Sequence, residues 1–183
     1  MPDEADYLPA LPYPDPPPDS PEDLPEFGAG SRAGIGARAG ARILDFLLAL
    51  YLPAVVAGFI LLDVEKVGSG EKEEVSRIVG PLWLVIIVSF AVYLVYDSVL
   101  TSTRGQTVGK MLFSLKVVSY DDGYVPTPSR SLLRFIVPNF ALVIGLSLIS
   151  GGVALIVYLS ALGDGLYRGW HDKAARTIVL RTR

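Results

Sequence analysis

Residues 38–62 read RAGARILDFLLALYLPAVVAGFILL, and this stretch decides the fold of the chain. From Ile43 to Leu62 it holds twenty residues, with Asp45 as the single charge. Twenty helical residues cover about 30 Å, the thickness of the hydrocarbon core of a bilayer. We therefore predict a first membrane span here. Because an ionisable group inside a span is costly unless it is paired, Asp45 is the first candidate functional residue.

A second apolar run over residues 80–100 predicts a second span, with Trp83 near one interface and Asp97 closing the other end. Apolar residues make up 51% of the 183 residues, and their concentration into long runs is typical of membrane proteins. The chain has no cysteine, which excludes disulfides, thiolate metal sites and cysteine nucleophiles. His171 is the single histidine, so a multi-histidine metal site is excluded as well.

The N-terminal region differs in composition from the rest of the chain. Residues 1–31 hold eight acidic residues and no basic residue, and residues 1–27 hold nine of the fourteen prolines. Such a segment has too little apolar surface to fold, so we predict a disordered, Pro-rich tail over residues 1–34 and a membrane domain over residues 35–181. Residues 7–14 (YLPALPYP) are either a docking peptide for a cytoplasmic partner or part of a solvated spacer. No secretory signal peptide is expected, because such a peptide begins with basic residues and an apolar core.

The hydrophobic region 131–163 is either one long span or two short spans broken at residues 150–152. Cytoplasmic loops collect Lys and Arg. The stretches before the first span, between the second span and residue 130, and after residue 163 are all basic, whereas 63–79 is acidic. We therefore predict an all-α membrane protein, a small helical bundle of about four transmembrane or re-entrant helices with both termini cytoplasmic. A single tilted span that places the C-terminus outside is the alternative.

Two smaller elements are predicted on the cytoplasmic side. Residues 107–114 are too apolar for free solution and too short to span, so we expect a short helix on the membrane surface. Residues 176–180 (RTIVL) predict a strand that pairs with Leu115–Ser119 as a small hairpin. The basic C-terminal tail around them is expected to bind anionic lipid headgroups rather than nucleic acid.

The sequence GQTVGK at residues 105–110 has a superficial likeness to a phosphate-binding loop. Its spacing is one residue short, and Met111 stands where a Ser or Thr would hold magnesium, so nucleotide binding is not expected. His171-Asp172 lacks a nucleophile and more simply orders a turn. No nucleophile–base or metal constellation is present, so we expect neither an enzyme nor a cofactor.

With both termini on one side, charged residues from remote parts of the chain reach a single depth at the inner leaflet. Arg42 and Asp45 are three residues apart on one helix, where a guanidinium and a carboxylate can meet. One interpretation is a proton or cation relay with Asp45 as the titrating group. The other is an ion-pair cluster that pins the helix ends together. The candidate functional charges are Arg38, Asp45, Asp97, Arg134, Asp164, His171 and Asp172.

These motifs together resemble the RDD family of bacterial membrane proteins. The family begins its first span with an arginine, a small residue and an aspartate, which match Arg38, Ala41 and Asp45, with Arg42 as an extra base. Residues 105–110 followed by KVV at 116–118 resemble the loop signature after the family's second span.

The later part of the chain continues the resemblance. Arg134 fits the arginine before the family's later hydrophobic region. Residues 171–179 (HDKAARTIV) resemble its C-terminal box, with Asp172 as the second aspartate and Arg176 in place of the usual glycine. The resemblance covers residues 35–180 and implies a multi-pass protein of the bacterial cytoplasmic membrane, in a family whose members are suspected of transport or ion exchange.

Two functions are therefore carried forward. The charge cluster favours transport of a small solute or ion, such as a proton or cation, by a homo-oligomer, because four short helices barely enclose a pathway. The Pro-rich tail favours a membrane-anchored interaction protein that recruits a cytoplasmic partner.

Overall fold

The computed structural model describes residues 11–67, 75–143 and 155–183. Two of its helices are long and apolar enough to cross a membrane, α1 (Ile35–Leu61) and α2 (Leu82–Arg104). Only 17% and 28% of their most apolar windows are buried inside the protein. Most of their apolar side chains therefore point outward, as expected of helices that lipid surrounds.

Helix α1 begins at Ile35, before the apolar run of the predicted first span starts at Ile43, and the early start places Arg38 and Arg42 inside the helix. Its backbone widens into a π-helical turn at Leu47–Tyr51, just before Pro53. Pro53 has no N–H to donate to the preceding turn, which is a recognised cause of such irregularities in helices. The single irregular turn described within α1 therefore lies immediately before this proline.

Among the described residues, three short helices and one longer helix follow the two spans. Helix α3 is Val108–Leu112, within the predicted 107–114, and Thr107 caps its N-terminus. Helix α4 is Pro128–Val143, and α5 is Trp170–Ala174. Residues 155–159 are helical and continue into a 3₁₀ turn at Ser160–Gly163. The choice between one and two spans in 131–163 falls on residues 144–154, which lie outside the described residues.

The predicted strand pair is confirmed. Strands β3 (Leu115–Ser119) and β4 (Thr177–Arg181) pair antiparallel, with Val117 opposite Val179. Arg176, immediately before β4, has φ +49°, a conformation that favours glycine and explains the glycine usual at this point of the resembled family. The protein is thus mostly helical with a small two-stranded sheet beside the helices.

A second strand pair was not predicted. Strands β1 (Asp63–Val67) and β2 (Val75–Val79) pair antiparallel across the segment expected to be an acidic loop. The sequence prediction weighed the charges of this segment and overlooked its β-branched valines, which favour strands.

The sequence predicts that residues 11–34 are disordered, but in the structure this segment packs on the β3–β4 sheet. Leu11 and Leu24 are buried in one cluster with Ile178 and other sheet residues. The Tyr13 hydroxyl donates to the carbonyl of Tyr120 at 2.6 Å. Two leucines and a tyrosine among the prolines therefore supply the apolar anchors that the composition of the segment obscures. Residues 1–10 of the predicted tail lie outside the described residues.

Another apolar cluster joins the two spans to α4. Ala49 of α1, Tyr93 of α2 and Phe135 of α4 are buried together. The Tyr93 and Phe135 rings meet edge to face, with centroids 4.9 Å apart. This contact holds the start of α4 against α2, and it places Arg134 next to the charged ends of α1 and α2.

Candidate functional site

Buried charges meet where the start of α1, the end of α2, and α3, α4 and α5 come together. They form two groups, the Asp172 cluster (Arg38, Arg134, His171, Asp172) and the Asp97 cluster (Arg42, Asp97, Lys110). Four of the seven predicted charges, Arg38, Arg134, His171 and Asp172, are thus brought into one cluster.

The Asp172 cluster has one carboxylate between two guanidinium groups. Arg134 donates through Nη1 to Oδ1 of Asp172, and Arg38 Nη1 lies 3.3 Å from Oδ2. The backbone N–H of Gly169 donates to Oδ2 at 3.2 Å. Burial alone would raise the pKa of Asp172, but the guanidinium of Arg134, assisted by Arg38, holds that pKa well below its usual range. Asp172 is therefore ionised at neutral pH.

Arg38 connects α1 to the C-terminal part of the chain. Its Nη1 donates to the carbonyl of Tyr167 at 2.6 Å, and its Nη2 donates to the carbonyl of Val179 at 3.1 Å. One side chain therefore ties α1 to α5, to strand β4 and to the turn before α5. This role suits arginine, whose rigid guanidinium donates in several directions at once.

His171 is buried beside Asp172 but carries no charge at neutral pH. Burial lowers the pKa of His171 to about 3, although the neighbouring Asp172 opposes that shift. The imidazole packs edge-on against the ring of Tyr158, with centroids 4.8 Å apart. His171 is thus a neutral, packed side chain at neutral pH.

The Asp97 cluster places two cations on one carboxylate oxygen. Arg42 Nη1 is 2.9 Å and Lys110 Nζ is 3.5 Å from Oδ1 of Asp97, which is fully buried. Lys110 Nζ also donates to the Thr101 hydroxyl at 3.3 Å. Burial lowers the pKa of Lys110 to about 8, although Asp97 opposes that shift. Lys110 therefore changes charge near physiological pH.

Asp45 is buried as predicted, but its partners are neutral. It accepts hydrogen bonds from the Tyr96 hydroxyl at 2.8 Å, the Thr107 hydroxyl at 2.5 Å and the Gly109 N–H at 2.8 Å. Within the described part of the chain, no cationic group lies within 4 Å of its carboxylate. The expected Arg42–Asp45 pair is wrong, because Arg42 turns to Asp97.

Gly109 is the point where α3 meets α1. A side-chain carbon at this position would clash with the carbonyl of Ala41 and lie 2.8 Å from Oδ1 of Asp45. The GQTVGK sequence therefore contributes to the packing of α3 on α1. It provides a hydroxyl and an N–H for Asp45 and places Lys110 against Asp97.

Asp164 lies outside both clusters. Its carboxylate contacts Lys173 Nζ at 2.9 Å and accepts from the backbone N–H of Arg168 at 3.0 Å. Its partner Lys173 is 48% exposed, so this pair is a surface contact. Asp164, one of the predicted candidate charges, therefore belongs to neither of the two buried clusters.

Sequence reasoning missed Lys110, Thr107 and Tyr96 as members of the site. The available signal was Lys110 itself, because a lysine within the apolar segment 107–114 needs either solvent or a counter-charge. Tyr96 lies next to Asp97 in the sequence, and no sequence signal distinguishes it from the other aromatic residues of the second span.

A cavity of about 320 Å³ connects the two clusters. Its charged lining is Arg38, Arg42, Lys110 and Arg134, with His171 beside them. The apolar side of the cavity is formed by residues of α1 and of the 155–161 segment, among them Ile35, Ile43, Leu155 and Leu159. No carboxylate residue belongs to the lining as the described residues form it. Within the same ranges, no group of three His, Asp or Glu side chains could hold a metal ion.

Comparison with family models finds a match to the model described as RDD family over residues 32–176, which is most of the chain. Comparison with curated proteins and with solved structures finds no significant match. The family match includes every residue of the Asp172 and Asp97 clusters and leaves out the N-terminal segment before residue 32.

Proposed function

Since the chain belongs to the RDD family, we propose that it transports a small solute or ion across the cytoplasmic membrane, with the two charge clusters as the site that handles the transported species. The chain is an RDD membrane-protein domain with two apolar helices. Transport, rather than catalysis or recruitment, is the function that the geometry of this domain supports best.

The cavity between the clusters is the observation that carries the proposal. Its volume of about 320 Å³ suits a small ligand, and ligand sites are concave, mostly apolar and furnished with a few polar groups. It lies at the ends of two apolar helices, where buried charges are costly and commonly mark an ion or substrate pathway. An ion-pair cluster that only pinned helix ends together would be expected to close around its charges.

Lys110 is the titrating group of this proposal, in place of Asp45. Asp45 already accepts three hydrogen bonds, and its position against Gly109 fits a structural role in holding α3 on α1. Lys110 has its pKa lowered by burial to about 8 and shares Asp97 with Arg42. When Lys110 loses its proton, the ion pair between Lys110 and Asp97 is lost. The protonation state of Lys110 and the arrangement of the Asp97 cluster are therefore coupled.

Contacts across the chain support placing both termini on the cytoplasmic side. Arg38 near the start of α1 contacts Asp172 of α5, and Lys110, just after α2, contacts the same cavity as Arg38. The start of α1, the end of α2 and the C-terminal segment would then face the same compartment, in agreement with their basic flanks. A homo-oligomer would provide the remaining wall of the pathway.

The alternative function, a tail that recruits a cytoplasmic partner, has less support because part of the tail packs on the β3–β4 sheet. Residues 11 and 13 belong to the stretch predicted as a docking peptide, yet Leu11 is buried on the sheet and the Tyr13 hydroxyl is bound to Tyr120. A partner that docks on this part of the tail would have to displace it from the β3–β4 sheet.

Reconstitution of the purified chain in vesicles that contain pH- and cation-sensitive dyes tests the proposal. We expect flux to rise as the pH increases through about 8, the pKa of Lys110. Lys110→Arg should remove this step, because a guanidinium keeps its charge over the whole range. Lys173→Arg is the matched control, since Lys173 is a half-exposed surface lysine, and its profile should equal that of the wild type.

Two results would contradict the proposal. The first is an absence of flux above that of protein-free vesicles for any ion tested. The second is a pH profile of Lys110→Arg that coincides with those of the wild type and the Lys173→Arg control.

A further inference from the structure

The two clusters contain more positive than negative charge. Four cationic side chains line the cavity: Arg38, Arg42, Lys110 and Arg134. The two clusters hold two buried carboxylates, Asp97 and Asp172, and a third buried carboxylate, Asp45, lies near them with neutral hydrogen-bond partners. A buried charge without a counter-charge is strongly unfavourable, and proteins normally pair or neutralise it. Even with Asp45 counted, one excess positive charge remains while Lys110 is protonated, and it indicates a negatively charged ligand.

Some hydrogen-bond donors of the two clusters have no acceptor among the described residues. Within the described residues, Arg42 and Arg134 make their hydrogen bonds through Nη1 alone. The Nε atoms of Arg38 and Arg134 are buried and have no partner there. Arg134 is 4% exposed, so its guanidinium has no alternative partner in bulk water. Oδ2 of Asp97, in the neighbouring cluster, is a buried acceptor that has no partner in that part of the chain. Unpaired buried groups of this kind are rare, and together they point to a missing group that accepts hydrogen bonds from guanidinium and can also donate one.

The chemistry of these donors specifies the acceptor. Guanidinium groups bind carboxylate and phosphate oxygens through parallel N–H donors, and arginine is the preferred residue for this recognition. The Nδ1 atom of His171 is also buried without a partner among the described residues, and it suits a hydroxyl group or a protonated phosphate oxygen. Ile43, Leu155 and Leu159 give the cavity an apolar side next to these groups.

We propose that the cavity between the Asp172 and Asp97 clusters binds a phosphate-type oxyanion, held by the guanidinium groups of Arg42 and Arg134 with Arg38 beside them. The group comes either from a free inorganic anion or from the headgroup of an anionic phospholipid whose acyl chains lie along α1. This site is separate from the exposed basic C-terminal tail, which the sequence relates to headgroups at the membrane surface.

The inference names the ligand class of the cavity used in the proposed function and rests on that function for its physiological role. Binding is nevertheless measured without flux. Loss of flux with binding retained contradicts the proposed function alone, and flux without oxyanion binding contradicts this inference alone.

Thermal unfolding of the purified full-length chain in a neutral detergent tests the site. The probes are sodium phosphate against sodium chloride at equal ionic strength, and dioctanoyl phosphatidylglycerol against dioctanoyl phosphatidylcholine. A ligand that binds only the folded chain raises the midpoint temperature, and we expect at least about 3 °C at ten times its dissociation constant. A shift with phosphate identifies the free anion as sufficient, and a shift with phosphatidylglycerol alone identifies the lipid headgroup.

Two variants separate the cavity from nonspecific binding. Ala39→Phe fills the mouth of the cavity, because Ala39 is an exposed residue of its lining. Ala91→Phe is the matched control, an exposed alanine of α2 away from the lining. Arg42→Gln removes one guanidinium while Lys110 still pairs with Asp97, so it provides the test should Ala39→Phe fail to fold.

We expect the shift to be lost in Ala39→Phe and in Arg42→Gln and to be retained in Ala91→Phe. Equal shifts in Arg42→Gln and the wild type overturn the proposal. The proposal is also overturned if neither anionic probe stabilises the wild type more than its control does. In that case phosphate and chloride give equal shifts, and phosphatidylglycerol and phosphatidylcholine give equal shifts.

Discussion

Replacement of Asp172 by Asn is the most informative single perturbation of the buried charges. Asp172 is fully buried, and it is the carboxylate partner of both Arg38 and Arg134. Asparagine keeps the size of the side chain and one acceptor oxygen, but it removes the negative charge. The variant therefore leaves two guanidinium groups in the interior without a counter-charge.

The expected loss follows from the burial of these partners. Removing one partner of a buried ion pair typically costs about 3–5 kcal/mol, because the remaining charge stays desolvated. Arg134 is 4% exposed and cannot turn to solvent, whereas Arg38 is 15% exposed and keeps two carbonyl partners. We therefore expect the lower part of that range, about 3 kcal/mol of unfolding free energy.

Asp164→Asn is the matched control, since it removes an aspartate of the same region whose partner Lys173 is 48% exposed. Surface pairs contribute at most about 1 kcal/mol. Both variants are compared with the wild type by SDS-induced unfolding in mixed micelles. The fluorescence of Trp170, on the same short helix as Asp172, reports the transition in a background where Trp83, the other tryptophan, is replaced by Phe.

A double variant strengthens the test. Adding Arg134→Gln to Asp172→Asn removes one of the uncompensated cations, so the combined loss should be smaller than the sum of the two single losses by about 0.5–3 kcal/mol. Equal effects of Asp172→Asn and Asp164→Asn, or strictly additive losses in the double variant, would refute the ion-pair reasoning.

Three further predictions concern packing, pH and the N-terminal segment. Gly109→Ala should lower the unfolding free energy by about 1–3 kcal/mol in the same assay. Gly36→Ala, where the added carbon meets open space, should be neutral or stabilising. A larger loss in Gly36→Ala than in Gly109→Ala would contradict the α1–α3 contact. His171 has its pKa lowered from 6.5 to about 3, so below pH 6.5 the unfolded chain binds the extra proton. Between pH 6.5 and about 3, His171 should therefore lower the unfolding free energy of the wild type by about 1.4 kcal/mol for each unit by which the pH decreases. His171→Gln, measured over the same pH range, should lack this contribution. Tyr13→Phe removes the hydrogen bond to the carbonyl of Tyr120, so it should lower the unfolding free energy by about 0.5–1.5 kcal/mol and speed proteolysis of the N-terminal segment. Tyr124→Phe should do neither, because the Tyr124 hydroxyl has no hydrogen bond among the described residues.

The apolar runs and the family motifs are the parts of the fold that could be predicted from sequence. The first two helices, the short helix after them and the β3–β4 pairing follow from hydropathy, length and β-branched composition. Arg38 and Asp172 follow from the resemblance, which names them without showing that they contact each other.

The pairing of the charges could not be predicted, because it depends on helix rotation and on distant backbone. Arg42 and Asp45 are well spaced to meet on one helix, yet Arg42 reaches Asp97 while Asp45 receives neutral donors from α2 and α3. The N-terminal segment was missed for a different reason. Its composition resembles that of disordered chains, and Leu11 and Leu24 form a small minority that composition does not weigh.

Single-cysteine labelling tests the central claim, that the charged ends of the helices and the C-terminal segment lie on one side of the membrane. The chain has no cysteine, so each introduced thiol is unique. Thr103, at the end of α2, and Arg183, at the C-terminus, are exposed, and Asp63 lies exposed just after α1. With a membrane-impermeant maleimide applied to intact cells and to inverted vesicles, Thr103→Cys and Arg183→Cys should both react only from the cytoplasmic side, and Asp63→Cys only from the opposite side. Labelling of Arg183→Cys from the same side as Asp63→Cys would contradict the account.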